Sequence, residues 1–129
     1  MQARIILWLL GLSFIGFGIW ALVAPAGFSN LVHFQLKDAI GVTEMRSFYG
    51  GLEFGLGAFF IFCAVYASAG TSGMRRAGLL LGVFVLGCLA TARTFGLIID
   101  GSASPVIFGA LASEVLGALA CFWALRFEQ

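Results

Sequence analysis

Charge is what this sequence has least of. Only 10% of its residues are Asp, Glu, Lys or Arg, against about 25% in an average soluble domain. The net charge is +1, so no basic field exists to hold nucleic acid, and no nucleic-acid-binding motif is present. Cysteine is scarce as well. Cys63, Cys88 and Cys121 are odd in number and lack CxxC spacing, which excludes a disulfide framework and a zinc site. All three fall in apolar runs, where packing is the expected role. A lone His33 supplies no metal-ligand set and reads as an interfacial polar residue. Phosphate loop, HExxH and Ser-His-Asp arrangements are all missing. Neither enzyme chemistry nor a cofactor has positive support, so the expectation leans away from an enzyme.

What the chain has instead is apolar mass. Of its 129 residues, 61% are hydrophobic, and the mean hydropathy is +1.06. A soluble core this apolar would lack polar surface to cover it, so the bilayer is the expected solvent. Four runs reach the ~20 apolar residues a crossing needs: Ile5–Ala24, Met45–Ser68, Ala77–Ile99 and Val106–Leu125. They are continuous rather than alternating, which favours helices over barrel strands. The first run exceeds a usual signal-peptide core and lacks a small-residue cleavage site, so it is read as a retained helix. The expected fold is an all-α, integral membrane four-helix bundle in a single transmembrane domain spanning residues 1–129.

The connecting segments differ in kind. Ala69-Gly70-Thr71-Ser72-Gly73 and Asp100 to Pro105 read as short polar turns. Between helices one and two, Phe28, Leu31, Val32, Leu36, Ala39 and Ile40 recur at helical spacing. This predicts a short amphipathic helix in the outer interface, stopping at Gly41, and covering the polar centre as a lid. Trp8, Trp20 and Trp123 sit near helix ends, as interfacial aromatics do. Small residues in Gly51-x3-Gly55, Gly78-x3-Gly82 and Gly109-x3-Ser113-x3-Gly117 mark faces for close packing, within the chain or in a homo-oligomer. Arg4, Arg75, Arg76 and Arg126 fall on one side of a four-crossing chain, which places both termini in the cytoplasm.

Three ionisable residues lie deep in the apolar runs: Glu53, Arg93 and Glu114. At 1.5 Å per residue they sit about 12, 9 and 12 Å from the outer ends of their helices. Unpaired charges at such depth cost roughly 2.5–3.5 kcal/mol each. Arg93 forked between the two carboxylates is the expected arrangement. Arg46 is the candidate second cation and Tyr49 the candidate hydroxyl, both on the Glu53 side of helix two. Such a layer is either a register-fixing ion network or a ligand or proton site.

The stretch Glu44-Met45-Arg46-Ser47-Phe48-Tyr49-Gly50-Gly51, followed by Glu53 and Gly57, with Arg93 ahead of Asp100-Gly101 and Glu114 in the last helix, resembles a known family. It is similar to small bacterial four-helix membrane proteins catalogued as a domain of unknown function (DUF 4345). The resemblance implies a bacterial inner-membrane location and a site built on the ExRxxYGG and Arg–Asp-Gly stretches. It implies no activity. The leading expectation is a non-enzymatic accessory or assembly subunit of a larger membrane complex, or a binder of a lipid-like ligand. The alternative is a small proton-coupled carrier working as a homodimer through the Glu53, Arg93 and Glu114 layer. A membrane enzyme acting on a lipid or isoprenoid head group comes third, resting on the two carboxylates as acid and base.

Overall fold

The computed structural model describes residues 1–66, 72–101 and 103–128, and the described residues are almost entirely helical. In chain order the helices are α1 (Gln2–Val23), α2 (Pro25–Leu31), α3 (Ala39–Met45), α4 (Leu52–Tyr66), α5 (Ser72–Asp100) and α6 (Pro105–Ala124). A π-turn over Arg46–Gly51 joins α3 to α4, and a 3-10 turn over Leu125–Phe127 follows α6. Helices α3 and α4 therefore run as one element, and four helical stretches are long and apolar enough to cross a membrane: Gln2–Val23, Ala39–Tyr66, Gly73–Asp100 and Pro105–Phe127. Their outward faces are apolar. Phe84 is 68% exposed, Ile98 74% and Leu116 67%, a surface that suits lipid and not water.

The segment between the first two crossings differs from the expected single helix over Phe28–Ile40. It is split. Pro25 starts α2, at a position where its missing N–H costs nothing. Helix α2 ends by Leu31, and His33 takes a left-handed φ of 56° just beyond it. Asp38 then opens a new helix: its Oδ1 accepts the Gly41 N–H at 2.8 Å, the usual N-cap geometry. Gly41 is thus in the first turn of a helix and not a stop, and the second crossing begins at Ala39 rather than Met45.

Other boundaries shift for similar reasons. Ser72 and Gly73, expected in a turn, belong to α5, which carries Arg75 and Arg76 on its opening turns. Residues 67 to 71 and Ser102, parts of the expected second helix and two turns, lie outside the described residues. Gly101, at φ 62°, follows the end of α5, where a left-handed residue closes a helix. Ser104 caps α6 by accepting the Ile107 N–H at 3.2 Å, with Pro105 in its first turn.

Contacts divide the chain into two compact units. In the unit Trp8–Phe62, α1 and the second crossing approach through glycines. A Cβ added to Gly57 would sit 2.7 Å from the Gly11 carbonyl oxygen and 2.7 Å from the Ile15 nitrogen. One added to Gly18 would meet the Phe54 nitrogen at 2.6 Å and the Gly50 oxygen at 2.9 Å. Gly11 and Gly18, and likewise Gly50 and Gly57, are two helical turns apart, so each pair stays on one face. Backbone meets backbone there. Phe14 packs edge-on against Phe60 in the same unit, and Phe60 is fully buried.

The expected packing faces were partly elsewhere. Gly55 and Gly109 have no neighbour within 4 Å, and Gly51 meets only an oxygen of its own turn. Gly78 is a true packing site in the other unit, Met1–Leu7 with Cys63–Gln129. A Cβ there would meet Cys63 at 2.8 Å and Leu7 at 3.0 Å. Within that unit α5 and α6 form the main helix pair. Cys63 and Cys121 are buried as packing residues, but Cys88 is exposed on α5. Phe60 and Leu79 are buried, whereas Phe59, Phe62 and Leu80 face outward.

Gly57→Ala is expected to destabilise the protein by about 1–3 kcal/mol, because the added methyl meets backbone that cannot move alone. Gly55→Ala, in open space, is expected to stabilise it by about 0.5–1 kcal/mol through helix propensity. Thermal unfolding in mild detergent compares the two directly. Equal effects would remove the glycine contact from the account.

Candidate functional site

In lipid, a polar side chain must find a partner within the protein. Most hydroxyls in the crossings do so on their own helices. Thr43 and Ser47 donate to the carbonyls of Ala39 and Thr43 at 3.0 Å. Thr91, Thr94 and Ser113 donate at 2.8 Å to Gly87, Ala90 and Ala110. This back-bonding is the default for such residues in helices.

The charged residues follow the same logic to different ends. Arg93 on α5 and Glu114 on α6 meet in an ion pair. The Arg93 Nε donates to both carboxylate oxygens, at 3.1 and 3.0 Å, and Nη2 donates to Oε1 at 2.6 Å. The Glu114 side chain is 8% exposed and that of Arg93 28%. A planar guanidinium meets a planar carboxylate through two nitrogens, the strongest common geometry for such a pair. The pair fastens α5 to α6.

Glu53 lies in the other unit, on the first turn of α4. Its side chain is half-buried. Within that unit it forms no hydrogen bond or ion pair with a described residue, and no residue there neutralises it. Arg46, the expected second cation, is used differently: its Nε donates to the Leu22 carbonyl at 3.1 Å. Leu22 is in the last turn of α1, where carbonyls lack helical partners and positive charge is favoured. Arg46 therefore closes the end of α1.

Tyr49 stands between these two residues on the π-turn, 38% exposed. Its ring lies 5.5 Å from that of Phe28. Phe28, on α2, also packs edge-on against Trp20 at 5.7 Å and Phe17 at 6.4 Å. With Ala21 and Met45, and Val32 and Leu36 against them, Phe28 forms the buried centre of this end. The short helix is thereby seated beside Tyr49.

The π-turn itself is the feature that sequence spacing did not disclose. The Leu52 N–H reaches back to the Ser47 carbonyl, one residue further than in an α-helix. Such single-turn widenings occur frequently at functional sites. Here it includes Gly50, whose missing side chain leaves room for Leu22, and it leads straight into Glu53. Arg46, Tyr49 and Glu53 are thus collected on one widened turn and the turn after it.

A family model for a domain of unknown function, DUF4345, matches residues 2–125. The chain belongs to that family. No curated protein and no solved structure matches it. The DUF4345 description carries no activity, so the chemistry rests on the residues. Among the described residues no group of His, Cys, Asp and Glu is arranged to hold a metal ion. A shallow groove of about 460 Å³ on α5, lined by Phe84, Gly87, Cys88, Thr91 and Phe95 among others, carries no charge.

Two carboxylates of similar depth should therefore respond differently to neutralisation. Glu114→Ala leaves the Arg93 charge without its carboxylate and is expected to cost on the order of 3 kcal/mol. Glu53→Gln is expected to leave stability nearly unchanged. Unfolding curves of the two variants in the same detergent supply the comparison, and a larger loss in Glu53→Gln would reverse the assignment.

Proposed function

We propose that this chain is a non-enzymatic membrane protein that binds a lipid-like ligand, with the Glu53 carboxyl as its polar contact. One observation carries the reading. Glu53 is an ionisable group in an apolar crossing, next to a π-turn, without a partner in its unit. Intramembrane ionisable residues are costly and mark binding or transfer sites by default. A carboxyl among apolar side chains suits an amphiphile with a hydroxyl or amine head and a hydrocarbon body. Tyr49 offers a second polar contact, and α2, seated on Tyr49 through Phe28, acts as the lid over the head group. The single transmembrane domain lies in the bacterial inner membrane, with the arginine-rich ends in the cytoplasm.

Service as an accessory or assembly subunit is a second reading. It draws on the apolar outward faces of α5 and α6, including Phe84, Phe95, Phe108 and Leu116, which suit neighbouring helices as well as lipid.

Native mass spectrometry of gently extracted protein, wild type beside Glu53→Gln, separates these readings. The proposal predicts a bound small molecule in the wild type that is lost in the variant. A stoichiometric protein partner held equally by both would establish the subunit reading instead. Bare monomer or dimer in both samples would contradict ligand binding and bring the proton-coupled carrier forward.

A further inference from the structure

The charges of the unit Met1–Leu7 with Cys63–Gln129 are sorted by position. Arg93 and Glu114 neutralise each other within the crossings, and Asp100 sits at the far end of α5. The other end holds Arg4, Arg75, Arg76 and Arg126, four of the seven basic residues of the chain. Packing brings these four to one level. Gly78 lies against Leu7 and Cys63, so Arg4, one turn before Leu7, and Arg75, one turn before Gly78, come to the same end. Arg75 then pairs with Glu128 at 2.9 Å, which draws the segment after α6, with Arg126, to the start of α5.

Glu128 is the one carboxylate found with this cluster among the described residues. Its side chain is only 10% exposed, and it is committed to Arg75. Arg4, Arg76 and Arg126 are exposed and have no carboxylate partner among the described residues. Aromatics mark the depth. Trp123 packs on Phe127 at 4.9 Å, and the Arg126 guanidinium lies 5.7 Å from the Phe122 ring centre. Tryptophan and arginine so placed belong at the headgroup level, with the arginine head toward water.

We propose that this end binds the phosphate of anionic phospholipid headgroups, with Arg4, Arg76 and Arg126 as ligands and Glu128 as the internal counter-ion that keeps Arg75 out of competition. Guanidinium forks fit phosphate oxygens in two-point contacts. Each basic residue near an anionic membrane surface contributes about fivefold in affinity. The reading is independent of Glu53, which lies in the other unit.

The test is lipid retention by native mass spectrometry after reconstitution in equal parts of phosphatidylglycerol and phosphatidylcholine. Wild type is expected to retain phosphatidylglycerol at least tenfold over phosphatidylcholine. The triple variant Arg4→Gln, Arg76→Gln, Arg126→Gln is expected to lose that preference, and Glu128→Gln, which frees Arg75, to raise it severalfold. The triple Arg→Lys variant keeps the charge and should keep much of the preference, which guards against misfolding as the cause of loss. Equal retention of both lipids by wild type, or an undiminished preference in the folded glutamine triple, would overturn the proposal. So would full displacement of phosphatidylglycerol by millimolar inorganic phosphate, since the site would then be one for free phosphate. If the glutamine triple does not fold, an unchanged preference in Glu128→Gln overturns the proposal on its own.

Discussion

Lipid offers no hydrogen bonds, and that constraint organises this protein. Backbone groups in a crossing must be satisfied within the protein, and the hydroxyls of Thr91, Thr94 and Ser113 turn back to carbonyls of their own helices. Without a hydrophobic force between helices in lipid, close packing must supply the attraction. Gly11, Gly18, Gly50 and Gly57 provide it by letting backbones touch. A charged group under the same constraint has two choices: find a partner, or wait for one. Arg93 and Glu114 have taken the first course. Glu53 forms no hydrogen bond or ion pair with a described residue of its own unit.

The split assigns different work to residues that look equivalent on depth alone. The Arg93 guanidinium donates to both carboxylate oxygens of Glu114 and so links α5 to α6. Glu53 joins nothing in its unit. It sits in the first turn of α4, two residues past the π-turn in which the Leu52 N–H bonds the Ser47 carbonyl. Arg46, which could have neutralised it, closes the end of α1 on the Leu22 carbonyl.

Much of this was legible in residue order, for physical reasons that can be named. Length and continuity of the apolar runs announce helices that suit a bilayer. Similar depths of Glu53, Arg93 and Glu114 announce that Arg93 meets a carboxylate, because unpaired charges are costly there, and within its unit it meets Glu114. Other features were hidden. The apolar spacing from Phe28 to Ile40 continues across the break at His33 to Asp38, so periodicity alone joins two helices that a cap separates. The signal was present in Asp38, three residues before Gly41, but caps speak softly beside a strong apolar pattern. The π-turn leaves no periodicity of its own, and only Gly50-Gly51 hints at it. The packing glycines are spaced by two turns rather than one, so a search for Gly-x3-Gly pointed to Gly51 and Gly55 and passed over Gly11 and Gly18.

The division of labour between the ion pair and Glu53 is the central claim, and one measurement addresses it. A charge-swapped protein carrying Arg93→Glu and Glu114→Arg is expressed in its own membranes and its retained small-molecule mass is recorded. If the pair serves to hold α5 to α6, the swapped pair restores the attraction, and the ligand bound by wild type stays bound. Loss of that ligand from a swapped protein that folds and purifies like wild type would place the binding chemistry on Arg93 and Glu114 and contradict the account.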